Sequence, residues 1–277
     1  MSSIAMYEVG LIGTGALGSK VAGHLVDGLV PGARLSSVYN RTPKRARAVV
    51  SSLDSEADVN IASDPVEVAE QVDVVVETAS QAVVAESAVD ILSTGADLVA
   101  LSVGAFRDPD LLDAVRTAAD KNDSRVRVPS GAIACLDGVG AIRHGTVDGV
   151  SLRCYRPPEY LEPYVDDAVD VTELPDGEPI FSGTAAEAAA TFPAHMNVAI
   201  ALTLTVDVRP EDVTVEIFVK RTAPRSRYVV SATGEAGAVE TEVRNFATDA
   251  KPEQSALTVF SAVETLRRLT DPVVVGT

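Results

Sequence analysis

The chain has 277 residues, 46% of them hydrophobic, and its 40 acidic against 23 basic side chains give a formal net charge of −17 at pH 7. The length suits two modest domains, and the charge argues against nucleic acid or an anionic membrane surface as a partner, because a polyanion would be repelled over most of the protein. Apolar runs stay short of the roughly 18 residues that a membrane span requires, and residues 1–7 carry no basic leader segment, so a soluble cytoplasmic protein is expected.

From Tyr7 to about Arg127 the pattern alternates between strands and helices. Strands are predicted at Tyr7 to Ile12, Arg34 to Tyr39, Val59 to Ala62, Val72 to Val76, Asp97 to Ser102 and Arg125 to Val128. Helices are predicted at Ala16 to Leu29, Pro43 to Ser52, after Asp64-Pro65, at Gln81 to Leu92 and at Pro109 to Ala119. Thr42 before Pro43 reads as an N-cap with proline at the first helical position. Such alternation specifies a doubly wound parallel sheet of Rossmann type over residues 1–128.

After Pro129 the pattern changes to a second α+β domain, residues 129–254, on a largely antiparallel sheet. Gly131 to Arg143 reads as a helix of small residues, Gly149 to Tyr155 as a strand and Arg156 to Pro179 as a long acidic connection. Helices then run from Thr184 to Thr191 and, after the break at Pro193, from Asn197 to Thr205. Three alternating strands follow at Val213 to Lys220, Tyr228 to Thr233 and Val239 to Phe246; their apolarity points to a homodimer. An amphipathic helix from Ser255 to Leu269, within the segment 255–277, is expected to return to the first domain. Cys135 and Cys154 read as two small buried hydrophobes, and no metal site is predicted.

The run Val9-Gly10-Leu11-Ile12-Gly13-Thr14-Gly15-Ala16-Leu17-Gly18 ends a strand in G-x-G-x-x-G and opens a helix, the setting a dinucleotide fingerprint needs. Gly13 allows the sharp turn, Gly15 leaves room for a pyrophosphate and Gly18 allows close helix–sheet packing. Ala16 and Leu17 belong to the helix N-terminus whose N–H groups face the phosphates. An acid that accepts from ribose hydroxyls is usual at the end of the second strand, but Asn40 stands there, followed by Arg41, Thr42, Lys44 and Arg45. Those residues suit a 2′-phosphate, so NADP(H) is expected in preference to NAD(H).

Pro129-Ser130-Gly131-Ala132-Ile133-Ala134-Cys135-Leu136-Asp137 resembles the P-S-G-A-I-x-x-L-D segment of L-aspartate dehydrogenases. Phe181-Ser182-Gly183-Thr184-Ala185-Ala186-Glu187-Ala188, then Phe192-Pro193-Ala194-His195-Met196-Asn197-Val198-Ala199, is similar to that family's F-x-G-x-A-x-E-A and F-P-x-N-x-N-V-A. Lys251-Pro252-Glu253-Gln254-Ser255 is similar to its N-P-K-T-S. The resemblance covers both domains in order and implies that Ser130, Ala132 and Asn197 line the nicotinamide end of the cofactor. It implies a small dicarboxylate or amino-acid substrate, with aspartate and iminosuccinate or oxaloacetate plus ammonia as the pair. Other readings are a reductase for a different imine or 2-oxo acid, or a cofactor-binding regulatory protein.

Two departures stand out. The family's catalytic histidine lies in N-x-H-E-I-x-V-x-G, and alignment on Gly234-Glu235-Ala236-Gly237 puts Tyr228 there; His195 stands where the pattern has its first asparagine. Tyr228 and His195 are therefore the candidate acid–base residues. His24 reads as packing or surface, His144 as a helix-end charge, and Arg143, Arg221, Arg225 and Arg227 are available to hold a carboxylate.

Lysine is confined to Lys20, Lys44, Lys121, Lys220 and Lys251. Excess acid with little lysine is the surface of a salt-adapted protein, in which ions screen the self-repulsion of the fold. The melting temperature is therefore expected to rise between dilute buffer and molar KCl; a flat or falling value removes this reading.

Overall fold

A computed structural model describes residues 6–53, 58–164, 170, 173–193, 195–221, 226–248 and 251–276. The chain divides into two compact units, residues 1–129 with 258–277 and residues 130–257.

The first unit holds six strands, β1 (Tyr7–Ile12), β2 (Ala33–Tyr39), β3 (Asn60–Ile61), β4 (Val74–Glu77), β5 (Asp97–Ala100) and β6 (Val126–Arg127). They form one parallel sheet in the order β3-β2-β1-β4-β5-β6. Val74, Val75 and Val76 are fully buried, as a parallel strand covered on both faces requires. The crossovers are α1 (Ala16–Val26), α2 (Pro43–Ser52), α3 (Pro65–Ala69), α4 (Gln81–Ser93) and α5 (Pro109–Asn122). Asp64, Ser80 and Asp108 cap the last three through their side chains, each meeting helix N–H groups that would otherwise lack a partner. Because β1 lies between β2 and β4, the chain reverses its direction across the sheet there. The switch point lies between β1 and β4, and in open α/β sheets ligands bind at the carboxyl ends of the strands that flank it.

In the second unit, α6 (Leu136–Ala141) precedes β7 (Val147–Arg156), β8 (Pro179–Thr184), α7 (Ala185–Thr191), α8 (Asn197–Val206), β9 (Val213–Val219), β10 (Ser226–Gly234) and β11 (Gly237–Asn245). The sheet order is β11-β10-β7-β9-β8. β7 and β9 pair in parallel and the other neighbours antiparallel, so the sheet is mixed and largely antiparallel.

Two expectations are corrected here. The helix read from Gly131 begins only at Leu136, because Gly131 (φ 62°) and Cys135 (φ 59°) both take left-handed backbone, which interrupts a helix. Cys135 is exposed, and only Cys154 is buried. β8 follows the segment read as a connection and has no predicted counterpart, since its Pro-Ile-Phe-Ser-Gly-Thr lacks the alternation that marks a strand. In this sheet Val150, Leu152, Val215, Ile217 and Val230 are buried on one face. The opposite face pairs Arg153 with Glu240 and Arg227 with Glu242 and stacks Tyr155 on Phe218.

The last helix, α9 (Ala256–Thr270), buries Val259, Ala262, Val263 and Leu266 among Val9, Leu11, Val21, Leu25 and Val38 of the first unit. This i, i+3, i+4, i+7 spacing is one face of a helix. Among the described residues no helix is long and apolar enough to cross a membrane. Leu266 is 1% exposed, so Leu266→Ala is expected to cost about 2–5 kcal/mol through lost transfer energy and a residual cavity; urea denaturation checks this.

Candidate active site

In the first unit, three glycines meet different demands. A Cβ on Gly13, whose φ is 94°, would lie 2.8 Å from the Ala79 backbone nitrogen, and one on Gly18 would lie 1.9 Å from the Gly13 carbonyl oxygen. A Cβ on Gly15 would meet nothing within 4 Å. Packing therefore forces the outer two glycines, while the middle one borders open space. Gly15 is the N-cap of α1, with no side-chain cap and no acid in the first turn. Helix N–H groups and the positive dipole end are thus left for an anion. Ala16 and Leu17 open the helix, and Leu17 packs against the core.

The turn after β4 braces this loop. The Thr78 N–H donates to Ile12 O at 2.9 Å and its hydroxyl to Gly13 O at 2.7 Å. Glu77, 1% exposed, accepts from the N–H groups of Ala79 (2.6 Å), Ser80 (2.9 Å) and Ser102 (3.0 Å) and from the Ser102 hydroxyl (2.9 Å). Burial pushes its carboxyl above the usual carboxylate range, against the four donors that lower it.

At the end of β2, the Asn40 side chain is engaged on both sides. Its amide donates to the Thr14 hydroxyl at 2.9 Å and its carbonyl accepts the Thr42 N–H at 2.8 Å, tying the glycine loop to the start of α2. Thr42 begins α2 without a side-chain cap, contrary to expectation, since the Asn40 carbonyl meets the backbone there instead. Arg41, Lys44 and Arg45 are exposed, and among the described residues none of them forms an ion pair.

In the second unit, Ser130–Cys135 is a turn, closed by an Ile133 N–H to Ser130 O bond of 3.2 Å. Asn245, 2% exposed, donates to the Ala132 carbonyl at 3.1 Å and accepts the Ser255 hydroxyl at 2.6 Å. Ala132 is thus latched to the end of β11. Asn197 is the first residue of α8, directly after the buried Met196.

Tyr228 and His195 belong to one cluster centred on Arg156, a residue the sequence reading passed over. Tyr228 lies opposite Cys154 in the β10–β7 register, and Arg156 follows on the same face of β7. The Arg156 guanidinium donates to the Tyr228 hydroxyl and stands 4.9 Å from that ring and 5.6 Å from the ring of Tyr160. His195 meets Tyr160 and Tyr164 edge-on, at 5.9 and 5.4 Å between ring centres. Burial pushes the Tyr228 phenol up, although the Arg156 charge opposes this. Burial, aided by the Arg156 charge, pushes His195 down to about 4. At neutral pH the phenol is protonated and the imidazole neutral.

The other arginines are placed differently. Arg227 is paired with Glu242 and lies over Tyr155 on the opposite sheet face, Arg221 donates to the Leu174 carbonyl, and Arg143 is exposed beyond α6. Arg225 lies outside the described residues. His24 stacks on Phe260 and is a packing residue. Among the described residues no group of three or more His, Cys, Asp or Glu side chains could hold a metal ion.

Arg156 was legible in one respect. Leu152, Cys154 and Arg156 share the period-2 phase of a buried strand face, and a cation in that phase marks a site.

Known proteins match the chain from end to end. The family described as Homoserine dehydrogenase, NAD binding domain, matches residues 13–129, and that described as Aspartate dehydrogenase, C-terminal, matches residues 137–269. An L-aspartate dehydrogenase from Methanocella arvoryzae is 35% identical over 275 residues, covering 98% of this chain and 100% of its own. Another, from Methanothermobacter thermautotrophicus, is 34% identical, with 98% and 99% covered. The crystal structure of aspartate dehydrogenase from Thermotoga maritima superposes with a TM-score of 0.74 at 26% identity, covering 98% of this chain and 99% of that one. With an NAD-binding fold, a glycine turn open to phosphate and relatives matched from end to end, the chain is an NAD(P)-dependent oxidoreductase and belongs to the L-aspartate dehydrogenase family.

Proposed function

We propose that the protein interconverts L-aspartate with iminosuccinate, or with oxaloacetate and ammonia, that it prefers NADP(H), and that it works better toward the amine. The observation that carries the direction is Tyr228, a buried phenol bonded to Arg156, standing where the family resemblance leads one to expect a histidine.

When bound, the dinucleotide supplies or accepts the hydride; the chain's residues hold it, orient the substrate and manage protons. Gly13, Gly15, Ala16, Leu17 and Gly18 would cradle the pyrophosphate. Asn40, Arg41, Thr42 and Lys44 would meet the adenosine ribose and its 2′-phosphate, and Ser130, Ala132 and Asn197 the nicotinamide end. Reduction of an imine leaves a nitrogen that needs one proton. The Tyr228 hydroxyl carries one throughout the neutral range, and the Arg156 N–H bonded to its oxygen favours the phenolate that remains.

Oxidation makes the opposite demand, a base for the amine or the attacking water. Tyr228 is the wrong protonation state for that below its raised pKa. His195, held near 4, is unprotonated yet a weak base, and it cannot replace Tyr228 as an acid at neutral pH.

The cofactor preference is tested by replacing Arg41 and Lys44 with alanine. NADPH binding is expected to weaken by on the order of 1–3 kcal/mol through lost charge-assisted contacts, with little effect on NADH; calorimetry that finds equal weakening of both removes the 2′-phosphate assignment.

For the chemistry, Tyr228→Phe is expected to slow reductive amination by on the order of 100-fold or more, and His195→Ala by less than tenfold. Because Tyr228 titrates above its ordinary value, the wild-type reductive rate at a fixed concentration of free ammonia should not fall, from pH 7 upward, through loss of the phenolic proton until the pH exceeds about 10. Forward and reverse rates measured across that range decide the matter. Efficient aspartate oxidation at pH 7 that survives both substitutions would place the chemistry on another residue.

A further inference from the structure

Arg156 ends β7 in phase with Val150, Leu152 and Cys154, so its stem enters the covered face of the sheet, and the residue is only 8% exposed. Its hydrogen-bond partner is neutral, the Tyr228 hydroxyl, and two aromatic rings supply the rest of its surroundings. Among the described residues it forms no ion pair. Taking a guanidinium out of water without a counter-charge costs several kcal/mol, more than one neutral hydrogen bond and two ring faces return. A fold retains such a cation where an anion is to be bound, and the planar fork of five donors, of which the Tyr228 hydroxyl takes one, matches a carboxylate.

We propose that Arg156 is the residue that receives a carboxylate of the substrate, beside the phenol that serves as proton donor. The inference rests on the amino-acid dehydrogenase reading above and adds to it the group that recognises the acid. It also accounts for the neighbouring imidazole. His195 lies beside Tyr160 and Tyr164, with no carboxylate among its described ring contacts; burial is the main cause of its low pKa, and the Arg156 guanidinium adds to it. A carboxylate bound to Arg156 would cancel that charge and allow His195 to accept a proton at higher pH. Arg227 and Arg221 already have partners, and Arg156 differs from Arg143 in being buried.

The test uses the full chain with NADPH bound, in wild type, Arg156→Gln and Arg156→Lys. The KM for oxaloacetate with ammonium is expected to rise on the order of 100-fold in Arg156→Gln and less in Arg156→Lys. The NADPH dissociation constant should stay within twofold in both. Independently, the His195 ring resonance, assigned by comparison with His195→Ala, should titrate near 4 in wild type and move upward when succinate saturates the protein. In Arg156→Gln it should titrate higher from the start and not respond to succinate.

A folded Arg156→Gln with KM within threefold of wild type, or a wild-type His195 titration unmoved by saturating succinate, overturns the proposal. Should Arg156→Gln fail to fold, the succinate-linked titration of the wild type still decides. Should wild type fail to turn over oxaloacetate, the substrate reading falls, while the succinate response reports on Arg156 by itself.

Discussion

The nucleotide-binding unit depends on one close approach, that of the glycine turn after β1 to the turn after β4. Gly13 and Gly18 are glycine because the Ala79 backbone and the Gly13 carbonyl occupy the space a side chain would need. The approach is possible only because the turn after β4 is held rigid from behind. Glu77 does this: buried at the end of an all-valine strand, it meets the N–H groups of Ala79, Ser80 and Ser102, joining the ends of β4 and β5. Thr78 then passes the constraint to the Gly13 carbonyl. A carboxylate is costly to bury, and four donors at 2.6–3.0 Å are what makes it tolerable.

The second unit solves a different problem with the opposite charge. Among the described residues its sheet buries a cation without an anion, whereas the Glu77 carboxyl meets backbone N–H donors. The first arrangement is complete in the folded protein and serves rigidity; the second is incomplete and leaves a demand that a ligand can meet. This contrast separates residues that hold the site from those that touch its contents. Asn245 falls on the first side, since both its carbonyl and its amide are engaged, with Ser255 and with the Ala132 carbonyl.

Most of the fold was legible because its signals are local. Asp64-Pro65 and Asp108-Pro109 mark helix starts by cap and proline, the Val72 to Val76 run marks a buried parallel strand, and G-x-G-x-x-G marks the turn between β1 and α1. What was missed is non-local or conformational. The left-handed backbone at Cys135 is not a preference of that residue, and the true start of α6 was therefore hidden. β8 is a strand because β9 offers it a ladder, not because its own sequence alternates. Asn40 was correctly placed at the end of β2, but its two hydrogen bonds, to Thr14 and to Thr42, need the turn and the helix to be in position first.

The candidate acid–base residues show how far a single chain can be read. Tyr228 and His195 were singled out separately, one as a missing histidine and the other as a histidine out of place, with 32 positions between them. Arg156 connects them, 72 positions from Tyr228. Its charge acts on both in the same physical sense, favouring the deprotonated form of each: it opposes burial at the phenol and reinforces burial at the imidazole. The phenol's pKa lies above its ordinary value because desolvation outweighs the cation beside it. A carboxylate arriving at Arg156 would weaken that cation's hold and leave desolvation less opposed, so substrate binding itself would tend to secure the proton on Tyr228 until an imine nitrogen is there to take it.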